Sequence, residues 1–114
     1  VLRSRVSPRE TKFQPEADQP LADKAQSYSE TFKNKLLIAY EPLFAIGSGK
    51  PDSPENANKV AQEIKTMLGV PVLYGGSVTP ENVHAFTEKE SIDGVLVGSA
   101  SLEPEKFVHI IKNA

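Results

Sequence analysis

Three times along this chain a short, unbroken apolar run stops at a turn and is followed by a helix start, and this repetition limits the folds available. The runs are Leu36-Leu37-Ile38-Ala39-Tyr40, Val70-Pro71-Val72-Leu73-Tyr74 and Val95-Leu96-Val97. Continuous rather than alternating hydrophobicity suits strands buried on both faces, as in a parallel sheet. The first run stops at Glu41-Pro42, where proline removes a ladder donor. The second ends in Gly75-Gly76-Ser77 and the third in Gly98-Ser99-Ala100-Ser101.

The segments between them read as helices. Ser53-Pro54-Glu55 supplies a cap, a proline at the first helical position and a first-turn carboxylate. Ala57, Val60, Ala61, Ile64, Met67 and Leu68 then fall on one helical stripe, which Gly69 ends. Thr79-Pro80-Glu81 opens a short helix through about Thr87, and a last helix runs from about Pro104 to Lys112 with Phe107, Val108 and Ile111 toward the core. Upstream, Leu21, Ala25, Tyr28 and Phe32 share one face of a helix over residues 21–33. Strand-loop-helix units in series imply parallel strands with right-handed crossovers, an α/β fold.

Residues 1–20 are different. They carry Arg3, Arg5, Arg9 and Lys12 with Pro8, Pro15 and Pro20, a short strand at best followed by a loop. If residues 1–6 form a fourth strand, the chain holds four βα units, half of an eightfold barrel. The expected division is therefore a strand/loop segment over 1–20 and a half-barrel over 21–114. Such a half leaves two sheet edges unpaired, so alone it is expected to be poorly soluble or to pair with a second copy.

Several functions are disfavoured by composition. A net charge of −2 argues against nucleic acid or an anionic membrane as partner. Apolar runs of five or six residues fall far short of the roughly 20 that span a bilayer. With no cysteine there is neither a disulfide framework nor a thiolate metal site, and no His/Asp/Glu cluster has metal-ligand spacing. Arg3 and Arg5 interrupt the apolar start, so no signal peptide is expected and the cytoplasm is the default location. The absence of an initiator methionine sets the expectation of a longer parent chain.

In parallel α/β architectures ligands bind beyond the carboxyl ends of the strands. Glu41, Gly75-Gly76-Ser77 and Gly98-Ser99 all lie there. Free backbone amides in glycine loops make an anion cradle, and a helical turn opening over residues 99–102 adds its dipole. Two such loops ending consecutive strands, with a third at Gly47-Ser48-Gly49, point to a phosphate or carboxylate ligand. Glu41 is either a general base held on stiff backbone before Pro42 or a solvated glutamate at a strand end; spacing alone does not choose. His84 and His109 lie on helices away from strand ends and read as surface or packing residues. Lys50 reads as a solvated loop lysine, and Tyr28, Phe32 and Phe107 as packing residues.

Ala39-Tyr40-Glu41-Pro42-Leu43-Phe44-Ala45-Ile46-Gly47-Ser48-Gly49-Lys50 resembles the signature of the triosephosphate isomerase family. Tyr74-Gly75-Gly76-Ser77-Val78 resembles that family's next phosphate loop, and residues 93–102 its last strand and short helix. The resemblance covers residues 35–114. It implies a partial (β/α)8 TIM barrel, the last four βα units of an enzyme that interconverts dihydroxyacetone phosphate and glyceraldehyde 3-phosphate in glycolysis and gluconeogenesis, without a cofactor. On this resemblance Glu41 is the catalytic base, and residues 42–50 form a lid. The backbone amides of Gly47, Ser77, Gly98 and Ser99 hold the phosphate of a small phosphorylated triose. The full-length enzyme would be a homodimer.

Two positions depart from the family pattern. Ser99 stands where the family often has a second glycine, which a backbone contact tolerates if its φ is negative. Phe44 stands where the family often has tryptophan, so an aromatic is kept. The family's asparagine and lysine after its first strand, and its electrophilic histidine after the fourth, have no counterpart here, so the chain alone is expected to be inactive. The alternatives are a half-barrel that binds phosphate without catalysis and another barrel enzyme with a phosphate substrate, the latter disfavoured by the signature around Glu41.

Overall fold

The computed structural model describes residues 20–32 and 34–114. The strand expected over residues 1–6 and the loop after it lie outside the described residues. The elements run α1 (Leu21–Thr31), β1 (Ile38–Tyr40), a 3-10 turn (Leu43–Ala45), α2 (Pro54–Leu68), β2 (Val72–Gly75), α3 (Val83–Thr87), β3 (Gly94–Leu96), a second 3-10 turn (Ser99–Leu102) and α4 (Pro104–Asn113). The strands form one parallel sheet in the order β1-β2-β3. Each strand is joined to the next through a helix, as the expected crossovers require, and the result is part of an α/β barrel.

Helix limits follow local chemistry. The Ser53 side chain accepts a hydrogen bond from the Asn56 amide at 3.1 Å, Pro54 opens α2, and Gly69 closes it in the left-handed conformation with φ 64°. Thr79 caps as expected, its Oγ1 accepting from the Asn82 amide at 3.2 Å while Asn82 Oδ1 accepts from the Thr79 amide at 2.8 Å. That reciprocal pair closes a separate turn, however, so regular helix begins only at Val83.

One face of the sheet is well covered. Val72 and Tyr74 pack with Ala57 and Ala61 of α2, Val83 and Phe86 of α3, and Ile110 of α4, all essentially buried. Tyr74 and Phe86 stack at 4.0 Å between ring centroids, 10° from parallel. Truncating Phe86 to alanine would cost about 3–5 kcal/mol. The opposite face is less evenly covered: Leu37 is 44% and Leu96 37% exposed, whereas Ala39 is buried.

Two expected core faces are corrected. Among the described residues of α1 only Ala25 is buried, and the helix packs against α2; Tyr28 and Phe32 are about half exposed and meet one another at a tilt, 6.5 Å between ring centroids. On α4 the buried residue is Ile110, while Phe107, Val108 and Ile111 face outward. Apolar periodicity marks a stripe, but what packs against it is decided by neighbouring elements, and here those cover only one edge of each stripe. Among the described residues no helix is long and apolar enough to cross a membrane.

Candidate active site

Strand register builds the site. Tyr40 pairs with Tyr74 and Gly75 with Leu96, so Glu41, the next residue after β1, comes level with Gly75. A Cβ placed on Gly75 would lie 3.0 Å from Glu41 Cγ and 3.3 Å from its Oε1. The missing side chain is what lets the carboxylate extend across the neighbouring strand. Side chains alternate along a strand, so Glu41 falls on the same face as Ala39, opposite to Ile38 and Tyr40.

Residues 42–52 leave β1 through Pro42, make the 3-10 turn and lie against the loop that follows β2. Two hydrogen bonds join them, and a third runs to β2. Gly49 N–H donates to Ser77 Oγ at 3.0 Å, Ser77 Oγ donates to the Ala45 carbonyl at 2.7 Å, and Asp52 N–H donates to the Tyr74 hydroxyl at 2.9 Å. Tyr74 in turn donates to the Gly76 carbonyl at 2.9 Å. Gly76 has φ 143°, and a Cβ there would sit 2.8 Å from both Ala45 Cβ and the Tyr74 oxygen. Both its conformation and its space demand glycine.

Ser77 holds φ 53°, a left-handed position unusual for a side-chain-bearing residue. Asn82 Nδ2 donates to its carbonyl at 2.9 Å and helps fix the turn. Among the described non-glycine residues only Asn34 and Ser77 have positive φ, so Ser99 meets the condition set for it. It opens the short 3-10 turn expected over Ser99–Leu102.

A cavity of about 630 Å³ collects these loops, and Gly47, Ser77, Gly98 and Ser99 all line it. Glu41 is not in its lining; it lies at the same end of the sheet, against Gly75. His109, read from the sequence as remote from strand ends, does line the cavity, because α4 folds back beneath the 3-10 turn. Lys106 lines it too, but its ammonium is bound to Glu103 at 2.8 Å. Among the described residues no group of three or more His, Asp and Glu is placed to hold a metal.

Sequence reasoning missed a polar node at the end of the loop over residues 42–52. Asp52 is only 8% exposed. Its carboxylate accepts from Tyr40 OH at 3.1 Å, Asn56 Nδ2 at 2.7 Å and the Ser53 amide at 2.8 Å. Burial, reinforced by the nearby Asp52 charge, pushes the Tyr40 hydroxyl up to about 12, and burial also raises that of Tyr74. Both phenols therefore remain protonated donors at neutral pH. An aspartate two residues after a lysine and one before a cap reads as ordinary loop, and nothing in its spacing announces burial.

A family model described as triosephosphate isomerase matches residues 8–114, further upstream than the residues that carry the resemblance. The triosephosphate isomerase of Blochmanniella pennsylvanica is 48% identical over 94 residues, covering 75% of this chain and 36% of that protein. Those of Gloeobacter violaceus and a Synechococcus species are 50% and 51% identical over 80 residues, covering 68% of this chain and 33% and 32% of theirs. The chain thus spans about a third of the length of the curated relatives it matches.

Proposed function

The chain belongs to the triosephosphate isomerase family, and from that premise we propose that it supplies the base and the phosphate grip of an enzyme interconverting dihydroxyacetone phosphate and glyceraldehyde 3-phosphate. Glu41 takes a proton from the carbon beside the substrate carbonyl and returns it to the neighbouring carbon, so the carbonyl moves by one position with no change in atoms. Amides of Gly47, Ser77, Gly98 and Ser99 hold the phosphate at the other end of the triose. Glutamate base and closing lid are the general mechanism of this family, a standard case in enzymology, and the present residues are fitted to it.

The observation that carries the reading is the alignment of strand ends. Glu41 lies across Gly75, and the next two residues along that strand, Gly76 and Ser77, begin the anion loop. A three-carbon phosphate is small enough for its reacting carbon and its phosphate to be served by neighbouring loops of one rim. Gripping the non-reacting phosphate supplies binding energy that closes the lid, and a closed lid keeps water from the enediolate.

Deprotonation beside a carbonyl builds negative charge on oxygen, which needs an electrophile. On the family resemblance those groups belong to the upstream half, so the chain alone binds phosphate but does not turn over. The decisive test is isomerisation of triose phosphate by the chain with and without a supplied N-terminal half. Activity only in the mixture is expected. Phosphate binding with no activity in either case would instead support the non-catalytic half-barrel, and no phosphate binding at all would defeat both.

A further inference from the structure

The most deeply buried charged group among the described residues, Asp52, has no part in the chemistry above, yet it meets all three elements that frame the lid. Through its side chain it accepts from Tyr40, the residue immediately before Glu41, and from Asn56 and the Ser53 amide in the first turn of α2. Through its amide it reaches Tyr74, which holds Gly76. Its carboxylate also faces the N-terminal end of α2, where negative charge is favoured.

We propose that Asp52 is a positioning residue, a fixed post that pins the closing end of the lid to the end of β1 and thereby steadies the backbone that carries Glu41. This rests on the reading of residues 42–50 as a lid. A buried carboxylate with three donors is rigid, because moving it strands either the charge or the donors. The lid can therefore swing only upstream of Asp52, where Leu43 and Phe44 are 87% and 61% exposed.

The test is chymotrypsin cleavage after Leu43 and Phe44 in the full-length protein, followed by mass spectrometry. When opening is fast, cleavage reports the open population. Asp52→Ala should accelerate it about tenfold, the effect of losing a charged hydrogen-bond set. Ser53→Ala removes the α2 cap without touching the post and should leave the rate unchanged. Equal acceleration by Ser53→Ala, or none by Asp52→Ala, would overturn the proposal.

Tyr40→Phe deletes one donor and keeps the test open if Asp52→Ala fails to fold. An acceleration of a few-fold is expected, and a cleavage rate equal to wild type would overturn the proposal; where Asp52→Ala does fold, the double variant should be no faster than Asp52→Ala alone. Protection of the wild-type lid by inorganic phosphate is read in parallel. Its failure would count against the phosphate site, while the Asp52 comparison would still decide the post.

Discussion

At the leading end of the sheet, Asp93, just before β3, is hydrogen-bonded to β2 and ion-paired to α2; at the trailing end, the same strands run out into glycines, left-handed backbone and shared hydroxyls. Asp93 accepts from the Val72 amide at 2.8 Å while its own amide donates to the Val72 carbonyl at 2.8 Å, and Lys65 binds its carboxylate at 2.7 Å. There the Asp93 carboxylate is satisfied by the backbone and a side chain of the same molecule. At the other end, glycines and serines of three loops share the cavity lining with Glu81, Glu103 and His109, and the lysine in that lining is engaged with Glu103. The contrast separates an end that holds the fold from the end where the proposed chemistry sits, the division expected of barrels. It also says where substitutions should hurt activity and where they should hurt only folding.

The largest effect should come from Glu41→Asp in the full-length enzyme. Retracting the carboxylate by one methylene should lower kcat by about 10²–10³-fold, while phosphate affinity from equilibrium titration changes by no more than about twofold. Unaltered turnover would erase the distinction between the two ends. Next is Gly76→Ala, where positive φ and two 2.8 Å contacts coincide. It should cost about 2–3 kcal/mol in urea unfolding and weaken phosphate binding as well.

Asp93→Asn sharpens the comparison from the other side. It should cost about 1 kcal/mol, a partly exposed charged hydrogen bond, with kcat and KM intact. Burial works against the ionised form of Asp93, but the Lys65 ammonium and the Val72 amide outweigh it and hold the carboxyl below its usual 3.8. A depressed folded value means the stabilisation is present above that usual value and is lost as pH falls through the lower one. Unfolding followed across acid pH should therefore show a shallower loss in Asp93→Asn than in wild type. The smallest effect is expected from Gly69→Ala. It has left-handed φ but open space around it, so only the backbone penalty of about 1 kcal/mol applies, with no change in the pH dependence of unfolding, as urea titrations at several pH values would show.

The helix limits at Ser53 and Gly69 are legible in the sequence because capping is local chemistry. Parallel strands and the convergence of Gly47, Ser77, Gly98 and Ser99 on one cavity are legible as well, since unbroken apolar runs ending in glycine leave few topologies. Three features are not. The outward-facing Tyr28, Phe32 and Phe107 show that periodicity records which residues share a side, not whether anything stands opposite. His109 escapes because distance from a strand end in sequence is a poor guide once a helix folds back. Asp52 escapes because its burial depends on two tyrosine hydroxyls whose own strands read simply as apolar.

Ser77 has one consequence for how an anion is recognised. A serine hydroxyl owns a single hydrogen, and here it points at the Ala45 carbonyl, while a lone pair takes the Gly49 amide. With the lid down that oxygen has nothing left to offer a negatively charged guest, so attraction must come from the peptide nitrogen. Lifting the lid returns the hydrogen. On the proposed phosphate site, the hydroxyl would then offer an arriving anion a hydrogen that the loop as it stands here withholds.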